Sequence, residues 1–296
     1  MEHSRPTAAG TPCLLLHISD THFGTVQPQV ADALVRLARH QQPDALVLSG
    51  DITQRATPAE FAQARAFCDS LGIAHMLAIP GNHDIPLLDP YQRFFKPYAR
   101  YLAAFGPQLE PELSLPSVCV IGVNTTRWWR HKNGQVSPTQ VDRVAARLGS
   151  AQAGQTRIVV VHQPVHVLQS SDAHDLLRGW EPAVRAWAAA GADLVLGGHI
   201  HLPYLRDLSS HLNGLERRVW CLQAGTALSS RVRDGVPNSV NLVQLSGQAG
   251  CTVERWDYQA NTDAFACVQS RAVPLGAVQG VRLAALTGAH HTAAKG

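Results

Sequence analysis

The sequence reads CLLLHISDTH at residues 13–22 and ALVLSGD at residues 45–51. Each stretch begins with a short apolar run and ends in carboxylate or imidazole side chains. The same arrangement recurs in MLAIPGNHD at residues 76–84, IVVVH at 158–162 and LVLGGHIH at 194–201. Apolar runs of this length are typical of buried parallel strands. Because the carboxyl ends of strands in an open α/β sheet line one crevice, the polar clusters are predicted to meet there.

The polar ends of these stretches supply seven side chains that can bind metal, namely Asp20, His22, Asp51, Asn82, His162, His199 and His201. Carboxylates, an amide oxygen and neutral imidazoles suit manganese, iron, cobalt or zinc. So many ligands exceed the needs of one ion, whereas two divalent or trivalent transition-metal ions that share a bridging carboxylate would use them all. A metal pair ~3.5–4 Å apart is suited to an in-line displacement at phosphorus.

Each cluster has a simpler explanation when it is taken alone. Gly, Asn and Asp favour turns, so Gly81-Asn82-His83-Asp84 also fits a plain turn. An isolated His-x-His, as at His199 and His201, is more often a surface pair than a ligand set. The clusters nevertheless all follow predicted strands, and this favours a shared metal centre over a coincidence of polar loops.

The ordered clusters resemble the signature of the calcineurin-like metallophosphoesterase superfamily, which reads Asp-x-His, Gly-Asp, Gly-Asn-His-Asp/Glu, His and Gly-His-x-His. Every position is filled, between residues 13 and 203. The resemblance implies an α/β fold of two packed mixed β-sheets flanked by helices, a four-layer αββα sandwich. It also implies one metal held by Asp20, His22, Asp51 and His201, and a second held by Asp51, Asn82, His162 and His199, with Asp51 as the bridge.

Other branches of the superfamily carry residues that this chain lacks. Purple acid phosphatases have a metal-bound Tyr where this chain has Gln54. Protein Ser/Thr phosphatases have arginines beside the motifs, but the matching residues here read DITQRA at 51–56 and PGN at 80–82. The segment 225–239 resembles a stretch of bacterial phosphodiesterase-like members. The resemblance therefore favours the bacterial branch that includes class III cyclic-nucleotide phosphodiesterases and glycerophosphodiesterases.

The expected mechanism is metal-assisted hydrolysis of a phosphate ester. A hydroxide held between the two ions attacks phosphorus, because metal coordination lowers the pKa of water towards ~7. His83, which follows the ligand Asn82, is the candidate to protonate the leaving oxygen, and Asp84 is expected to orient its imidazole. The simpler interpretation of His83 is a turn histidine.

Substrate recognition is less well specified by the sequence. The loop Arg127–Lys132 reads RWWRHK, which suits base stacking or phosphate steering, but equally a dimer contact or a solvated loop. Arg231 and Arg233 lie in the family-like segment and are candidate phosphate anchors, since Arg forks match phosphate oxygens. Two surface arginines are the competing interpretation.

The predicted function is hydrolysis of a small phosphodiester. A phosphomonoesterase, a nuclease and a non-catalytic scaffold on the same fold are the alternatives. The net charge is only +3, with no long Lys or Arg block, so no extended nucleic-acid track is expected. The complete ligand set together with His83 argues against a scaffold. The expected partner is thus a small phosphate ester, and a homo-oligomer is compatible with the sequence.

Composition fits one metallophosphoesterase domain at residues 13–273, with a flexible N-terminus at 1–12 and a poorly ordered tail at 274–296. The chain has 6 cysteines, none in a Cys-x-x-Cys pair, which indicates a reducing compartment. No stretch reaches the ~18 apolar residues of a membrane span, and no signal-peptide core is visible. These observations predict a soluble cytoplasmic protein.

Helix signals separate the predicted strands. Apolar residues at helical spacing predict a helix over residues 29–41, and another is predicted over residues 181–190. Thr57 and Ser137 each begin a capping box with Pro at the first helical position. From Val219 onwards, strand-like runs occur without long helical segments between them, which predicts an antiparallel second sheet.

Overall fold

The computed structural model describes residues 12–277, apart from residues 131, 234 and 249. Its α-helices are α1 Pro28–Gln41, α2 Pro58–Ser70, α3 Pro90–Phe95, α4 Ala99–Phe105, α5 Pro138–Gly149 and α6 Trp180–Ala189. Its strands are β1 Cys13–Ile18, β2 Ala45–Leu48, β3 His75–Ala78, β4 Glu112–Leu115, β5 Val118–Gly122, β6 Thr156–Val160, β7 Leu194–Gly197, β8 Tyr204–Asp207, β9 Trp220–Gln223, β10 Ser239–Leu245, β11 Cys251–Gln259 and β12 Ala264–Val273. The predicted strands before the polar clusters are therefore all present.

The strands form two mixed sheets of six strands each. The order is β12-β11-β10-β1-β2-β3 in the first sheet and β4-β5-β6-β7-β9-β8 in the second. Strands β1, β2 and β3 are parallel to one another, as are β6 and β7. The polar clusters are thus divided between two sheets rather than placed along one. The predicted fold of two mixed sheets with helices outside is confirmed.

Apolar side chains fill the space between the two sheets. Leu15 and Val47 of the first sheet belong to the same buried cluster as Val160 and Leu196 of the second. The alternate residues of β1 and β2, such as Leu16, face outwards and pack with α1. Since each central strand is covered on both faces, its sequence is apolar throughout rather than alternating.

The predicted helices form with their predicted ends. α1 buries the apolar stripe that includes Val30, Leu34 and Leu37, as expected for an amphipathic helix. The Thr57 and Ser137 side chains accept hydrogen bonds from the backbone N–H three residues later, and both capping boxes are complete. The second predicted helix is α6.

The strands after Val219 do not form a separate antiparallel sheet, and that prediction is wrong. β9 is parallel to β7 and lies inside the second sheet. β10, β11 and β12 are antiparallel to their neighbours, but they extend the first sheet through pairing of β10 with β1. The spacing of apolar residues predicts that a segment is a strand, but not which open strand edge it joins.

The packed part of the chain reaches Ala277. The Trp220 indole Nε1 donates to the Pro274 carbonyl at 3.0 Å, and the Arg218 backbone N–H donates to the Gly276 carbonyl at 2.9 Å. Pro274, Gly276 and Ala277, within the tail predicted at 274–296, are therefore paired with the segment at the start of β9. The tail beyond Ala277, and all but Pro12 of the N-terminus predicted as flexible, lie outside the described residues. In the described range, no helix has the length and hydropathy needed to cross a membrane.

Candidate metal centre

The loops after β1 and β2 continue side by side beyond the ends of their strands. The Asp20 backbone N–H donates to the Gly50 carbonyl at 3.0 Å, and the His22 N–H donates to the Asp51 carbonyl at 3.0 Å. The ligand residues in these loops adopt left-handed backbone conformations, with φ of 52° at Asp20, 42° at His22 and 48° at Asp51. Such values are uncommon for residues other than glycine and cluster at functional sites.

The second sheet delivers its ligands to the same place. The Gly198 N–H donates to the His162 carbonyl at 3.0 Å, so the loops after β6 and β7 also run together. His199 and His201 have positive φ angles of 76° and 55°. The Ala227 N–H donates to the Ser19 carbonyl at 3.1 Å and joins the two sheets beneath the site. The predicted convergence of all the polar clusters is therefore what the structure shows.

The first ligand cluster comprises Asp20, His22 and His201. His201 Nε2 lies 3.2 Å from Asp20 Oδ1 and 3.2 Å from His22 Nε2. Asp20 and His22 are fully buried. Asp20 Oδ2 accepts the His199 N–H at 2.9 Å, whereas its Oδ1 has no hydrogen-bond partner among the described residues. A buried carboxylate oxygen beside two imidazole nitrogens is an arrangement that a cation would complete.

The second ligand cluster comprises Asp51, Asn82, His162 and His199. Asp51, His162 and His199 offer donor atoms that all lie within 4.8 Å of one another. His162 Nε2 is 3.2 Å from Asp51 Oδ1 and 3.3 Å from Asn82 Oδ1. The other oxygen of the same carboxylate, Asp51 Oδ2, faces His22 Nε2 at 3.9 Å. Asp51 therefore lies between the two clusters, with one oxygen towards each.

Backbone carbonyls fix the orientation of two of the imidazoles. His162 Nδ1 lies 2.8 Å from the Ser49 carbonyl, and His201 Nδ1 lies 2.6 Å from the Arg231 carbonyl. A carbonyl can only accept, so Nδ1 is the protonated nitrogen in both rings and donates to it. In the neutral ring Nε2 is then the unprotonated nitrogen and faces the site, which is the arrangement that metal-binding histidines require.

Close backbone packing explains the glycines of the motifs. A Cβ placed on Gly50, whose φ is +102°, would lie 2.6 Å from His162 Nδ1. A Cβ on Gly81 would overlap the backbone nitrogen and the carboxylate of Asp51. The glycines therefore allow loops from different strands to approach closely enough for the ligand atoms to meet.

Burial and neighbouring charges set the pKa values of the metal-free site. Burial lowers the pKa of His22 to about 3. Burial also disfavours the charged form of His162, but the Asp51 and Asp20 carboxylates outweigh that effect and raise its pKa to about 9. Although burial opposes ionisation of Asp51, the surrounding histidines hold its pKa well below the usual range. The site thus favours ionised carboxylates, which suits a cation.

A surface cavity of about 410 Å³ opens directly above the two clusters. Its floor includes Asp51, Asn82 and His199, and part of its wall is formed by His83 and Arg231. Lys132 and Asp175 also line it. The ligand side chains are therefore accessible to a small molecule from one side.

His83 lies on the wall of this cavity, next to Gln54 and Arg231. Its Nδ1 lies 3.0 Å from the Gln54 carbonyl, and its Nε2 lies 3.2 Å from Arg231 Nη1. The same guanidinium nitrogen donates to Gln54 Oε1 at 3.0 Å. Since a guanidinium can only donate, Nε2 is the accepting nitrogen of the ring.

The expected role of Asp84 in orienting His83 needs correction. The Asp84 carboxylate accepts the backbone N–H groups of Gly81, Ile52 and Thr53 at 2.8 to 3.1 Å, together with the Thr53 hydroxyl. These hydrogen bonds use both carboxylate oxygens of Asp84. The group that faces the His83 imidazole is instead the Gln54 carbonyl. Asp84 is fully buried and joins the loop after β2 to the loop after β3, so it positions the loops that carry Asp51 and Asn82 rather than the His83 imidazole.

The three predicted substrate arginines have different surroundings. Arg231 lies in the cavity beside His83. Arg233 also lines the cavity. Its guanidinium donates two hydrogen bonds of 3.0 Å to the Asp172 carboxylate, and this pair stabilises the edge of the cavity. Arg127 does not line the cavity; it donates to the Asn124 carbonyl at 3.0 Å and to Gln140.

Sequence reasoning missed Asp175. It ends a 3₁₀ turn, Ser170–Asp175, and its Oδ1 lies 3.4 Å from His199 Nε2. Burial opposes ionisation, but the neighbouring His199, His174 and Lys132 lower its pKa, so the cavity wall carries a negative charge. No motif surrounds Asp175, and only its position in the folded chain marks it. Lys132 was available from the basic loop, but nothing in the sequence singled it out.

A sequence profile of calcineurin-like phosphoesterases matches residues 14–203. A cAMP/cGMP dual specificity phosphodiesterase of Mycobacterium tuberculosis is 26% identical over 220 residues, which cover 68% of this chain and 64% of that relative. A probable cyclic nucleotide phosphodiesterase of a Synechococcus strain is 28% identical over 185 residues, covering 62% and 68% of the two chains. A glycerophosphodiester phosphodiesterase of Enterobacter lignolyticus is 39% identical over 82 residues, covering 24% and 29%. The chain thus spans just under two thirds of the mycobacterial relative.

Solved structures with the same fold include a dimetal phosphatase from Danio rerio, with a TM-score of 0.63 and 13% identity over 89% of this chain and 99% of that one. A purple acid phosphatase from yellow lupin has a TM-score of 0.67 and 10% identity, covering 90% of this chain and 54% of the lupin chain. At these identities the likeness concerns the fold alone. The sequence profile, which spans well over half of the chain, shows the family. This chain belongs to the calcineurin-like phosphoesterase family.

Proposed function

We propose that the protein is a dinuclear-metal-dependent phosphodiesterase that hydrolyses a small diester. The observation that carries the proposal is the position of Asp51, whose two carboxylate oxygens face two separate ligand clusters on the floor of one cavity. The three relatives by sequence described above are all named phosphodiesterases, and this supports the choice of reaction.

The spacing of the donor atoms suits two transition-metal ions. Ligands bound to zinc at ~2.0–2.2 Å lie roughly 2.8–3.6 Å apart in tetrahedral or octahedral geometry. The observed spacings of 3.2 and 3.3 Å around His201 and His162 fall in this range, whereas His22 Nε2 lies further from its neighbours, 3.8 Å from Asp20 Oδ1 and 3.9 Å from Asp51 Oδ2. Asp20, His22, Asp51 and His201 would hold one ion, and Asp51, Asn82, His162 and His199 the other. The bound pair supplies Lewis acidity and lowers the pKa of water towards ~7.

The chain's own residues would handle the leaving group and the phosphate. His83 Nε2 is the atom that would carry a proton to the leaving oxygen, because Nδ1 is engaged by the Gln54 carbonyl. Arg231, which donates to Nε2 in this structure, would turn its guanidinium towards a phosphate oxygen. Gln54 contacts both residues and would hold the His83 imidazole and the Arg231 guanidinium in fixed positions relative to each other.

The charge of the cavity wall supports a diester rather than a monoester. A diester carries one negative charge and a phosphomonoester up to two. Asp175 places a carboxylate on the wall, so the second negative charge of a monoester meets repulsion there. Lys132 lines the same cavity and offsets part of this charge, whereas Arg233 is paired with Asp172.

The proposal includes a small-molecule partner and a reducing, cytoplasmic location. The cysteines, all of them free, support the reducing compartment. We expect the bound metal to be manganese, iron, zinc or cobalt, since the donor groups are carboxylate, amide and imidazole.

The test is a metal reconstitution followed by a substrate comparison. Elemental analysis is expected to saturate at two ions per chain. With each metal, kcat/KM for bis-nitrophenyl phosphate is then compared with that for nitrophenyl phosphate, and cyclic nucleotides, glycerophosphodiesters and nucleic acids are assayed in parallel. We expect the diester to be the better substrate of the nitrophenyl pair.

Three results would contradict the proposal. Saturation at one ion would exclude the dinuclear centre. A clear preference for the monoester would reassign the reaction, and two bound ions without activity on any ester would favour a non-catalytic scaffold.

A further inference from the structure

A group of large apolar side chains is exposed on one surface of the molecule. Leu88 is 76% exposed and Phe95 is 72% exposed, values that are high for side chains of this size. We call the group the aromatic patch; it comprises Leu87, Leu88, Tyr91, Phe94, Phe95, Trp128 and Trp129. None of these residues belongs to a hydrophobic core cluster in the described part of the chain.

The aromatic patch comes from two separate segments, which meet through ring contacts. The Phe94 and Trp128 rings meet edge to face with centroids 5.1 Å apart, and Trp128 contacts Trp129 at 5.4 Å. Tyr91 and Phe95 lie 5.2 Å apart on α3. Arg93 donates to the Arg130 carbonyl and ties α3 to the loop that carries the tryptophans. An apolar surface built from contacting side chains is typical of a binding surface.

The same two segments concentrate the positive charge of the chain. Residues 85–100 and 127–132 contain six Lys or Arg and one acidic residue, Asp89, a net charge of +5. The whole chain carries +3, so all the remaining residues together carry a net charge of −2. The single acid is already paired with Arg100 at 2.7 Å. Whatever covers the aromatic patch must therefore tolerate, or be attracted by, the net positive charge of these two segments.

We propose that the aromatic patch docks on an anionic lipid surface. Trp, Tyr, Phe and Leu with Lys and Arg around them are the residues that bind at the headgroup level of a bilayer without crossing it. Lys and Arg side chains close to an anionic leaflet add electrostatic attraction to the binding free energy that comes from apolar burial. A second copy of the chain is a poorer occupant, because a two-fold contact through this surface would bring the net positive charge of these segments against the same charge on the other copy.

Docking would place the cavity next to the lipid headgroups. Trp129 lies in the aromatic patch, and Lys132, three residues later in the same loop, lines the cavity. Leu87 follows His83 by only four residues. The inference goes beyond the proposed hydrolysis, because a surface can bind lipid whether or not the cavity is catalytic.

The experiment is sedimentation of the full chain with vesicles. Vesicles of equal parts phosphatidylglycerol and phosphatidylcholine are compared with vesicles of phosphatidylcholine alone, at low and at high salt. We expect binding to the anionic vesicles that weakens as salt is raised. The variant Leu88→Asp/Phe95→Asp is expected to lower the partition coefficient by at least about tenfold, since each change removes a fully inserted apolar side chain.

Val268→Asp is the matched control. Val268 is 50% exposed on β12 and lies outside the patch, so its variant should sediment like the wild-type chain. Circular dichroism and thermal unfolding check that all variants fold. Light scattering gives the oligomeric state in the absence of vesicles.

Several results would overturn the proposal. These are no binding to anionic vesicles, equal binding to vesicles without phosphatidylglycerol, or unchanged binding by the folded double variant. A dimer that dissociates in the double variant would also overturn it, because the aromatic patch would then be covered by a second copy.

Discussion

The floor and the wall of the cavity are built in different ways. On the floor, five of the seven candidate ligands are fully or almost fully buried, and His162 and His201 are oriented by backbone carbonyls. On the wall, His83 is partly exposed, and Arg231 is held largely by other side chains, Gln54 and His83. The floor is therefore fixed by the path of the backbone, whereas the wall depends on side chains that can rearrange.

The difference predicts how each part responds to substitution. A change on the floor removes a ligand from a rigid set and should affect metal content first. A change on the wall leaves that set in place and should affect turnover or selectivity alone. Separate measurements of bound metal and of kcat/KM distinguish the two responses.

The largest effect is expected from Asp51→Asn. Asp51 faces both clusters, and its replacement removes a negative charge that both ions would share. Because residues that merely support a metal ligand typically change metal affinity by about 10–100-fold, loss of this ligand should exceed that range at both sites. Titration with metal, followed by elemental analysis, measures the affinities.

Asp257→Asn is the control for Asp51→Asn. Asp257 is also a buried carboxylate, but it lies on β11, pairs with Arg255 and does not line the cavity. Its variant should keep both ions. Loss of only one ion in Asp51→Asn would mean that the carboxylate serves one site and does not bridge.

A smaller effect, confined to turnover, is expected from His83→Ala. The variant should retain both ions, because the seven candidate ligands fill two sites without His83, although His83 also lies within reach of His22 and Asp51. Removal of a general acid or base should lower kcat by roughly 10²–10⁴-fold. The defect should shrink for esters of nitrophenol, which leave readily without protonation. A parallel fall in metal content would instead identify His83 as a ligand.

Arg231→Met should reduce kcat/KM less than His83→Ala does. The Arg231 backbone carbonyl, which the side-chain change keeps, accepts the hydrogen bond from His201 Nδ1, so that imidazole should stay oriented. Loss of one charged hydrogen bond to phosphate corresponds to about 1.5–3 kcal/mol, or roughly 10–150-fold. Arg271→Met is the control, because Arg271 lies over the Trp220 ring and does not line the cavity. Equal kcat/KM for Arg231→Met and the control would remove Arg231 from substrate binding.

The smallest effect is expected from Asp175→Asn. Removal of this carboxylate should improve monoester hydrolysis relative to diester hydrolysis by only a few-fold, since partly exposed charges interact by about 0.2–1 kcal/mol. The ratio of kcat/KM for the two nitrophenyl esters measures the change. Asp142→Asn, an exposed change on α5, serves as the control. An unchanged ratio would mean that Asp175 does not select between the esters.

The floor could be predicted from the sequence because each ligand directly follows an apolar strand. Asp51, for example, comes after the short run of β2, and the glycine before it permits the turn. For these residues, the local sequence pattern therefore also predicts where the side chain lies in the folded protein. The resemblance to a known family supplied what the pattern could not, namely the division of the strands between two sheets.

The wall was predicted only in part. Asp175 has no strand or motif beside it, and its position depends on how the segment between β6 and α6 folds back over the cavity. In the sequence, Arg127 and Arg233 are as plausible phosphate-binding residues as Arg231. In the folded protein, the Arg127 guanidinium binds a backbone carbonyl and the Arg233 guanidinium binds a carboxylate. The sequence does not predict these partners, because they depend on which groups the fold brings close. The pairing of β10 with β1 was missed for a similar reason, since strand pattern does not specify a partner.

The left-handed backbone at Asp20, His22, Asp51, His199 and His201 has an evolutionary consequence. A strained conformation of this kind costs about 1 to 3 kcal/mol per residue. Substitution of such a ligand by glycine would relieve that strain while abolishing metal binding. Descendants of this chain released from selection for catalysis would therefore gain thermal tolerance as they lost their ligands. The fold could thus persist after metal binding and catalysis were lost, and it could then serve other functions.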